Sequence, residues 1–148
     1  LKVTYLDYGK VYEMLLQLEG IDKYDRIVGI GRAGIILAGM LATMHDKRLS
    51  YVVLGKENGV YPVPDKSEKI LLVDDVLATG KTMKIVEEMF KGYDYDIYVI
   101  VDGIDRAKYR PEKYMCSIVA EESNWILFPW DLIDFVIGER KSYSRWRV

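Results

Sequence analysis

The chain has 148 residues, half of them apolar, with 21 Lys and Arg against 23 Asp and Glu and a net charge of −2. That length suits one domain with a real core, read as residues 1–148, and the near-neutral charge argues against a general nucleic-acid surface. Cys116 is the only cysteine, which excludes an internal disulfide and a cysteine-based zinc site and fits a reducing compartment.

Asp7 is placed to cap a first helix through about Leu18, with Val11, Leu15 and Leu18 on one face and Gly20 ending it. Arg26 to Ile30 reads as a buried strand. Ala33 to His45 follows as a helix, apolar almost all round and so expected to be packed on both sides. Its stretch from Ile35 to Met44 is the longest apolar run and is too short to span a bilayer. His45, the only histidine, sits near the helix end and reads as a C-terminal-turn residue rather than a catalyst. Leu49 to Leu54 is a second strand. Gly55 to Ser67 carries Gly, Asn, Pro and charge, a loop long enough for a functional lid, with Tyr61 as the residue expected to reach inward. Lys69 to Asp74 is a third strand and Thr82 to Phe90 the next helix. Ile97 to Val101 and Tyr114 to Val119 complete the strands, joined by a charged loop with Asp105, Arg106 and Arg110-Pro111. The tail from Arg140 to Arg147 is locally basic, and its interleaved Tyr143 and Trp146 suit a subunit contact better than RNA. The N-terminus lacks a signal-peptide pattern, so the expected location is cytoplasmic, with no membrane partner.

Alternating strands and helices predict an α/β fold, a mostly parallel sheet with helices on both faces. Ligands of such sheets sit beyond the strands' carboxyl ends, which brings the loops after the first, third and fourth strands side by side. There are no repeats, low-complexity tracts or obvious linkers.

The most informative stretch is Ile70-Leu71-Leu72-Val73-Asp74-Asp75-Val76-Leu77-Ala78-Thr79-Gly80-Lys81-Thr82-Met83. An aliphatic strand delivers two adjacent carboxylates to its C-terminal end, then a tight turn opens a helix near Thr82. Such a turn aims backbone N–H groups and two hydroxyls at one point with helix-dipole support, which suits a phosphate. The carboxylate pair suits a sugar diol or a divalent metal. A Walker A loop would have glycine at position 75, where Asp75 stands, so a nucleotide-triphosphatase reading fails. In a receiver domain the acidic pair usually opens the chain, whereas here a strand–helix–strand unit comes first. Helix capping and an ordinary turn explain the single features but not the whole string.

This string resembles the phosphoribosyl-diphosphate (PRPP) motif of type I phosphoribosyltransferases, an acidic pair followed by Thr-Gly-x-Thr. The resemblance implies Asp74 and Asp75 as catalytic residues at the ribose diol. It also implies a 5-phosphate grip by the main chain of Leu77, Ala78, Thr79, Gly80, Lys81 and Thr82, with the Thr79 and Thr82 hydroxyls.

Gly29-Ile30-Gly31-Arg32-Ala33-Gly34 satisfies G-x-G-x-x-G after a strand. A dinucleotide site would need an acidic residue ending the next strand, about 20 residues on. Val52-Val53-Leu54 stand there and Glu57 comes later, so that reading is disfavoured. The same turn is similar to the family's pyrophosphate loop, with Gly31, Arg32 and Ala33 as the anion contacts. Glycine lets the backbone approach, and Arg32 offers a fork of donors. Family members often carry Arg-Gly-Gly, so Ala33 departs mildly.

Asn124-Trp125-Ile126-Leu127-Phe128-Pro129-Trp130-Asp131 resembles the C-terminal hood of small microbial and archaeal purine phosphoribosyltransferases, here about residues 121–136. By position, Trp125 would stack on the base and the Ile126 main chain would read its edge. Asp131 would approach the metal or pyrophosphate, and Phe128 and Trp130 would mostly pack. The 6-oxopurine enzymes typically carry aspartate where Ala78 stands and lysine where Asp102 stands, with Lys108 the closest downstream lysine; adenine enzymes commonly have Ala-Thr-Gly. Asp102 could accept from an exocyclic amine or cap a turn, which leaves the base open.

The resemblance implies transfer of 5-phosphoribose from PRPP to a purine in salvage, with Mg²⁺ as cofactor and a homo-oligomer, dimer or tetramer. The competing expectation is a non-catalytic regulator of the same fold that senses PRPP or a nucleotide.

Overall fold

The computed structural model describes residues 2–103, 108–121 and 123–131. The expectations for Asp105, Arg106, the end of the hood at 132–136 and the basic tail with Tyr143 and Trp146 lie outside the described residues.

Among the described residues, eight strands and three α-helices follow one another as β1 (Lys2–Tyr5), α1 (Tyr8–Leu16), β2 (Arg26–Ile30), α2 (Gly31–His45), β3 (Arg48–Val53), β4 (Gly59–Tyr61), β5 (Lys69–Leu77), α3 (Lys81–Met89), β6 (Asp94–Asp102), β7 (Met115–Val119) and β8 (Asn124–Leu127). Short 3₁₀ turns lie at Ile21–Lys23 and Pro129–Asp131. The main sheet has the order β4-β3-β2-β5-β6-β7 and is parallel except for β4, which runs antiparallel to β3. The chain moves from β2 outward to β3, then returns to place β5 on the other flank of β2. The adjacent C-terminal ends of β2 and β5 therefore mark the point where strand order reverses, the place where open α/β sheets bind ligands.

Helices on both faces explain why the central strands read as continuous apolar runs rather than alternating ones. On one face, Leu71, Val73 and Ile100 pack against Val11 and Leu15 of α1, Leu37 and Leu41 of α2, and Ile126 and Phe128 near the C-terminus. On the other, Ile70, Leu72 and Val99 meet Met83 and Val86 of α3. The Asp7 carboxylate accepts from the Lys10 N–H at 2.8 Å and caps α1, as expected, a contact that contributes about 1 kcal/mol.

Three differences from the expected elements have physical reasons. Helix α2 starts two residues early, at Gly31, whose φ of 64° turns the chain directly from strand to helix. The turn is close: a Cβ on Gly29 would come within 2.6 Å of the Gly34 carbonyl oxygen, and one on Gly34 within 2.7 Å of that of Val73.

The segment Gly55 to Ser67 is not one loop. Gly59–Tyr61 pairs with β3 as an edge strand, and Tyr61 lies exposed beside Tyr51 with ring centroids 5.9 Å apart. Beyond it the chain is anchored by a buried network. The Arg26 guanidinium grips Glu68 in two hydrogen bonds of 2.9 and 3.0 Å and Ser50 in a third of 3.0 Å, while Ser50 donates to the Pro62 carbonyl at 2.6 Å. Only residues 55–58 remain as a free loop tip, so Tyr61 is not positioned as a lid residue.

The third difference is a second, two-stranded sheet in which β1 pairs parallel with β8, in the register Lys2↔Asn124 to Tyr5↔Leu127. The hood thus joins the first described strand to the last described one. Its signal was present in the β-favouring Val3-Thr4-Tyr5, but so short a strand becomes legible only with its partner.

Candidate active site at the β2–β5 switch point

Strand β5 runs to Leu77, three residues beyond the expected end. Its alternation of faces reverses at the two aspartates. Leu71 and Val73 belong to the first core and Ile70 and Leu72 to the second, yet Val76 packs on the first and Leu77 on the second. The pairing with β6 correspondingly skips Asp75, between Asp74↔Val99 and Val76↔Val101. At this irregularity the side chains satisfy the backbone. Asp74 Oδ1 accepts from the Asp75 N–H at 2.8 Å, and Asp75 Oδ1 from the Val76 N–H at 2.9 Å. Aspartate fits here because its short carboxylate reaches the neighbouring N–H.

Both carboxylates line a cavity of about 290 Å³ just beyond the sheet edge. Its walls come from the turn after β2 (Gly31, Arg32, Ala33) and the turn after β5 (Leu77, Ala78, Thr79, Gly80, Lys81, Thr82). All the expected phosphate, pyrophosphate and acidic residues are therefore brought together. Ile30, Leu54, Val76 and Met83 complete the lining, apolar neighbours with no sequence signal beyond adjacency to the motifs.

The two helices that begin at this cavity differ from the one that does not. Helix α1, elsewhere, carries the Asp7 cap. At α2 and α3 the N-cap residues, Ile30 and Gly80, make no side-chain capping bond, and neither first turn contains an acidic residue. Helix N-termini left in this way present N–H groups and positive dipole ends to an anion. Arg32 and Lys81 are exposed at the same rim and add two positive charges. In the turn itself, Thr79 Oγ1 accepts from the Lys81 N–H at 3.3 Å, and Gly80 has a φ of 84°.

The β5 turn is braced from behind by the loop after β6, one of the loops expected beside the site. The N–H groups of Lys108 and Tyr109 both donate to the Thr79 carbonyl, at 2.9 and 3.2 Å. The Tyr109 hydroxyl donates to Glu87 of α3, a bond that together with burial pushes its pKa up to about 12.

The expected base-site and metal residues lie outside this cavity. Asp102 ends β6 and is buried; Tyr114 donates to its Oδ2 at 2.5 Å and Arg110 lies 3.8 Å away. Burial and the bond to Asp102 raise the Tyr114 pKa. Trp125, opposite Val3 in the β1–β8 pair, is half-buried against the first core. Ile126 is buried as a whole residue and pairs with Thr4 of β1. Asp131 is also buried, its Oδ2 accepting from the Phe128 N–H at 3.2 Å. What does join the hood to the cavity is Trp130, whose indole Nε1–H donates to Asp75 Oδ2 at 3.1 Å.

The arrangement defines an α/β protein with an anion-binding and carboxylate-lined site at the switch point of a parallel sheet. A comparison with known families agrees: the phosphoribosyl transferase domain model matches residues 11–134, and the chain belongs to that family, with the type I fold. It is 32% identical over 109 residues to the orotate phosphoribosyltransferase of Thermotoga maritima, spanning 56% of that protein's length and 68% of its own. It is 26% identical over 119 residues to the xanthine-guanine phosphoribosyltransferase of Nitratidesulfovibrio vulgaris, covering 73% of this chain and 69% of the relative. Among solved structures, a purine phosphoribosyltransferase from Pyrococcus horikoshii superposes with a TM-score of 0.69 at 28% identity, over 88% of this chain and 94% of that one.

Proposed function

We propose that the protein transfers 5-phosphoribose from PRPP to a purine base, with release of pyrophosphate, as a salvage enzyme acting through one domain and its hood. The observation that carries this reading is a cavity in which two helix N-termini, neither capped by its N-cap side chain, flank a pair of aspartates. A 5-phosphate and a pyrophosphate need separate anion sites, and the ribose between them needs acceptors for its hydroxyls. The turn at 77–82 supplies the first anion site, the turn at 31–33 the second, and Asp74 and Asp75 the acceptors. The relatives include both a purine and an orotate enzyme, and the hood resemblance at Asn124 to Asp131 is what favours a purine.

In this reading the main chain from Leu77 to Thr82 holds the 5-phosphate and fixes the ribose against the aspartates. Arg32 and the N–H groups of Gly31 and Ala33 bind the pyrophosphate and stabilise it as charge accumulates on departure, the type of preorganised stabilisation that dominates such reactions. Positioning does the rest, and no covalent nucleophile is required. Asp75 and Asp74 offer hard oxygen ligands at the cavity wall, which fits Mg²⁺, a cation usually held by one or two carboxylates together with substrate oxygens and water. When bound, the cation neutralises part of the leaving group's charge. Asp131 would contribute only through its buried position behind the hood. Trp125 and the Ile126 main chain form the base contacts, with Asp102 near the base edge. A homo-oligomer in a reducing cytoplasm completes the reading.

Calorimetry tests the anion assignments directly. Mg²⁺–PRPP should bind at one saturable site, and inorganic pyrophosphate should compete with it. Binding of PRPP unaffected by pyrophosphate would remove the 31–33 turn from the site.

A further inference from the structure

We infer that Trp130 is a positioning residue: its indole N–H sets the orientation of the Asp75 carboxylate and thereby couples the hood to the ribose end of the cavity. The inference rests on the phosphoribosyl-transfer reading above and deepens it.

Three observations carry it. The donor geometry comes first. Trp130 Nε1–H reaches Asp75 Oδ2 at 3.1 Å, while the other oxygen of the same carboxylate is engaged by the Val76 N–H at 2.9 Å. With one donor on each oxygen, rotation about the carboxylate's last bond is resisted from both sides.

The second observation is that the indole is itself held. It stacks on Phe128, with centroids 5.1 Å apart and planes within 7°, and meets Tyr8 of α1 edge-on at 6.3 Å. Phe128 is fully buried, so the platform beneath the indole is fixed by the core. A donor on a rigid aromatic loses little freedom when it forms its bond, which is how a supporting residue holds a site group within a few tenths of an ångström.

The third is burial. Asp75 is only 6% exposed, so its hydrogen bonds to the chain compete weakly with water and set its direction. Asp74, its neighbour, is more exposed. The two aspartates therefore differ in burial, and the Trp130 donor acts on the buried one, Asp75. Since Trp125 lies five residues before Trp130 and immediately before core residue Ile126, movement of the hood on base binding would be transmitted to the ribose acceptor through Trp130.

The test separates the N–H from the packing. Trp130→Phe keeps a ring on Phe128 and removes the donor. With unchanged circular dichroism, its kcat/KM for PRPP should fall about tenfold to a hundredfold, the range of one hydrogen bond to a charged group, while the base KM stays within about twofold. In an Asp75→Asn background the same change should cost little more, because its route is gone. A structural role alone would add fully in both backgrounds. A spectroscopic measurement independent of turnover covers a poorly folded Trp130 variant. In the otherwise native protein, Asp75→Asn should move the Trp130 indole N–H resonance upfield, since a neutral acceptor replaces a charged one, and leave the other two indole signals in place. Wild-type kcat/KM in Trp130→Phe, full additivity, or an unmoved resonance overturns the inference. Wild-type protein that releases no pyrophosphate with any base, yet shows the resonance shift, would instead overturn the transfer reading and leave the contact standing.

Discussion

A Cβ added to Gly80 would overlap the Tyr109 carbonyl oxygen, and the residue's φ of 84° strains any L side chain. Gly80→Val should therefore abolish Mg²⁺–PRPP binding by calorimetry, and retained affinity would contradict the phosphate-turn assignment. Asp75→Asn keeps shape and exchanges a charged acceptor for a neutral one. Its kcat/KM should drop at least about tenfold with the melting temperature little changed, because hydrogen bonds to charged groups contribute about 1.5–3 kcal/mol. Trp125→Ala should raise the base KM roughly twofold to tenfold, the scale of one aromatic stack, and the PRPP KM far less; equal effects would return Trp125 to the core. At this scale the sequence was most legible where a residue's role is local. The Asp-Asp and Thr-Gly string announces its chemistry because neighbours in sequence are neighbours in the site. For Trp130 the sequence predicts packing, and it does stack on Phe128; its bond to Asp75 spans 55 positions and leaves no periodic or spacing signal.

Elements carry a different kind of information. Strand β2 and the starts of α1 and α3 were anticipated to within a residue because caps, glycines and apolar runs mark them locally. Strand β5 was placed three residues short, since an aspartate pair normally ends a strand; here the carboxylates satisfy the N–H groups that the broken pairing leaves. Strand β4 is hidden in sequence because Gly, Asn and Pro surround it. What fixes it is the buried Arg26–Glu68–Ser50 network, whose members are 42 and 24 positions apart along the chain. The Arg26 hydrogen bond holds the Glu68 carboxyl below its ordinary value of 4.5. The folded state thus keeps Glu68 ionised at a pH where the unfolded chain takes up the proton. The resulting stability is complete above about pH 4.5 and is lost as pH falls further, through the depressed folded value. Thermal melts should show this acid loss in the wild type and a smaller one in Glu68→Gln. Arg26→Met removes two hydrogen bonds to the buried Glu68 carboxylate and leaves it to Arg48 at 2.8 Å and the Asp65 N–H. It should lower the stability by less than the roughly 3–5 kcal/mol of a fully stranded charge; a melt unchanged by that substitution would mean the network does not anchor the segment.

Across the whole molecule, the site exists because of strand order. Two turns far apart in sequence, 31–33 and 77–82, face one another because β5 returns to lie beside β2. The α/β class and the side-by-side loops followed from alternating elements alone. The sheet's edge, and the closure of the hood by the chain's first strand, did not, because a parallel pair between Lys2–Tyr5 and Asn124–Leu127 depends on the fold being complete. The same limit applies to the base. Asp102 is engaged by Tyr114 and faces Arg110 in a cluster built by the β6–β7 connection, and no spacing rule translates that cluster into one purine. The central claim, phosphoribosyl transfer to a purine, is tested most directly by pyrophosphate release from PRPP and Mg²⁺ with adenine, hypoxanthine, guanine, xanthine, uracil and orotate supplied one at a time. Release should depend on at least one purine and be lost in Asp75→Asn. Release with orotate or uracil alone, or none with any base, would contradict that claim.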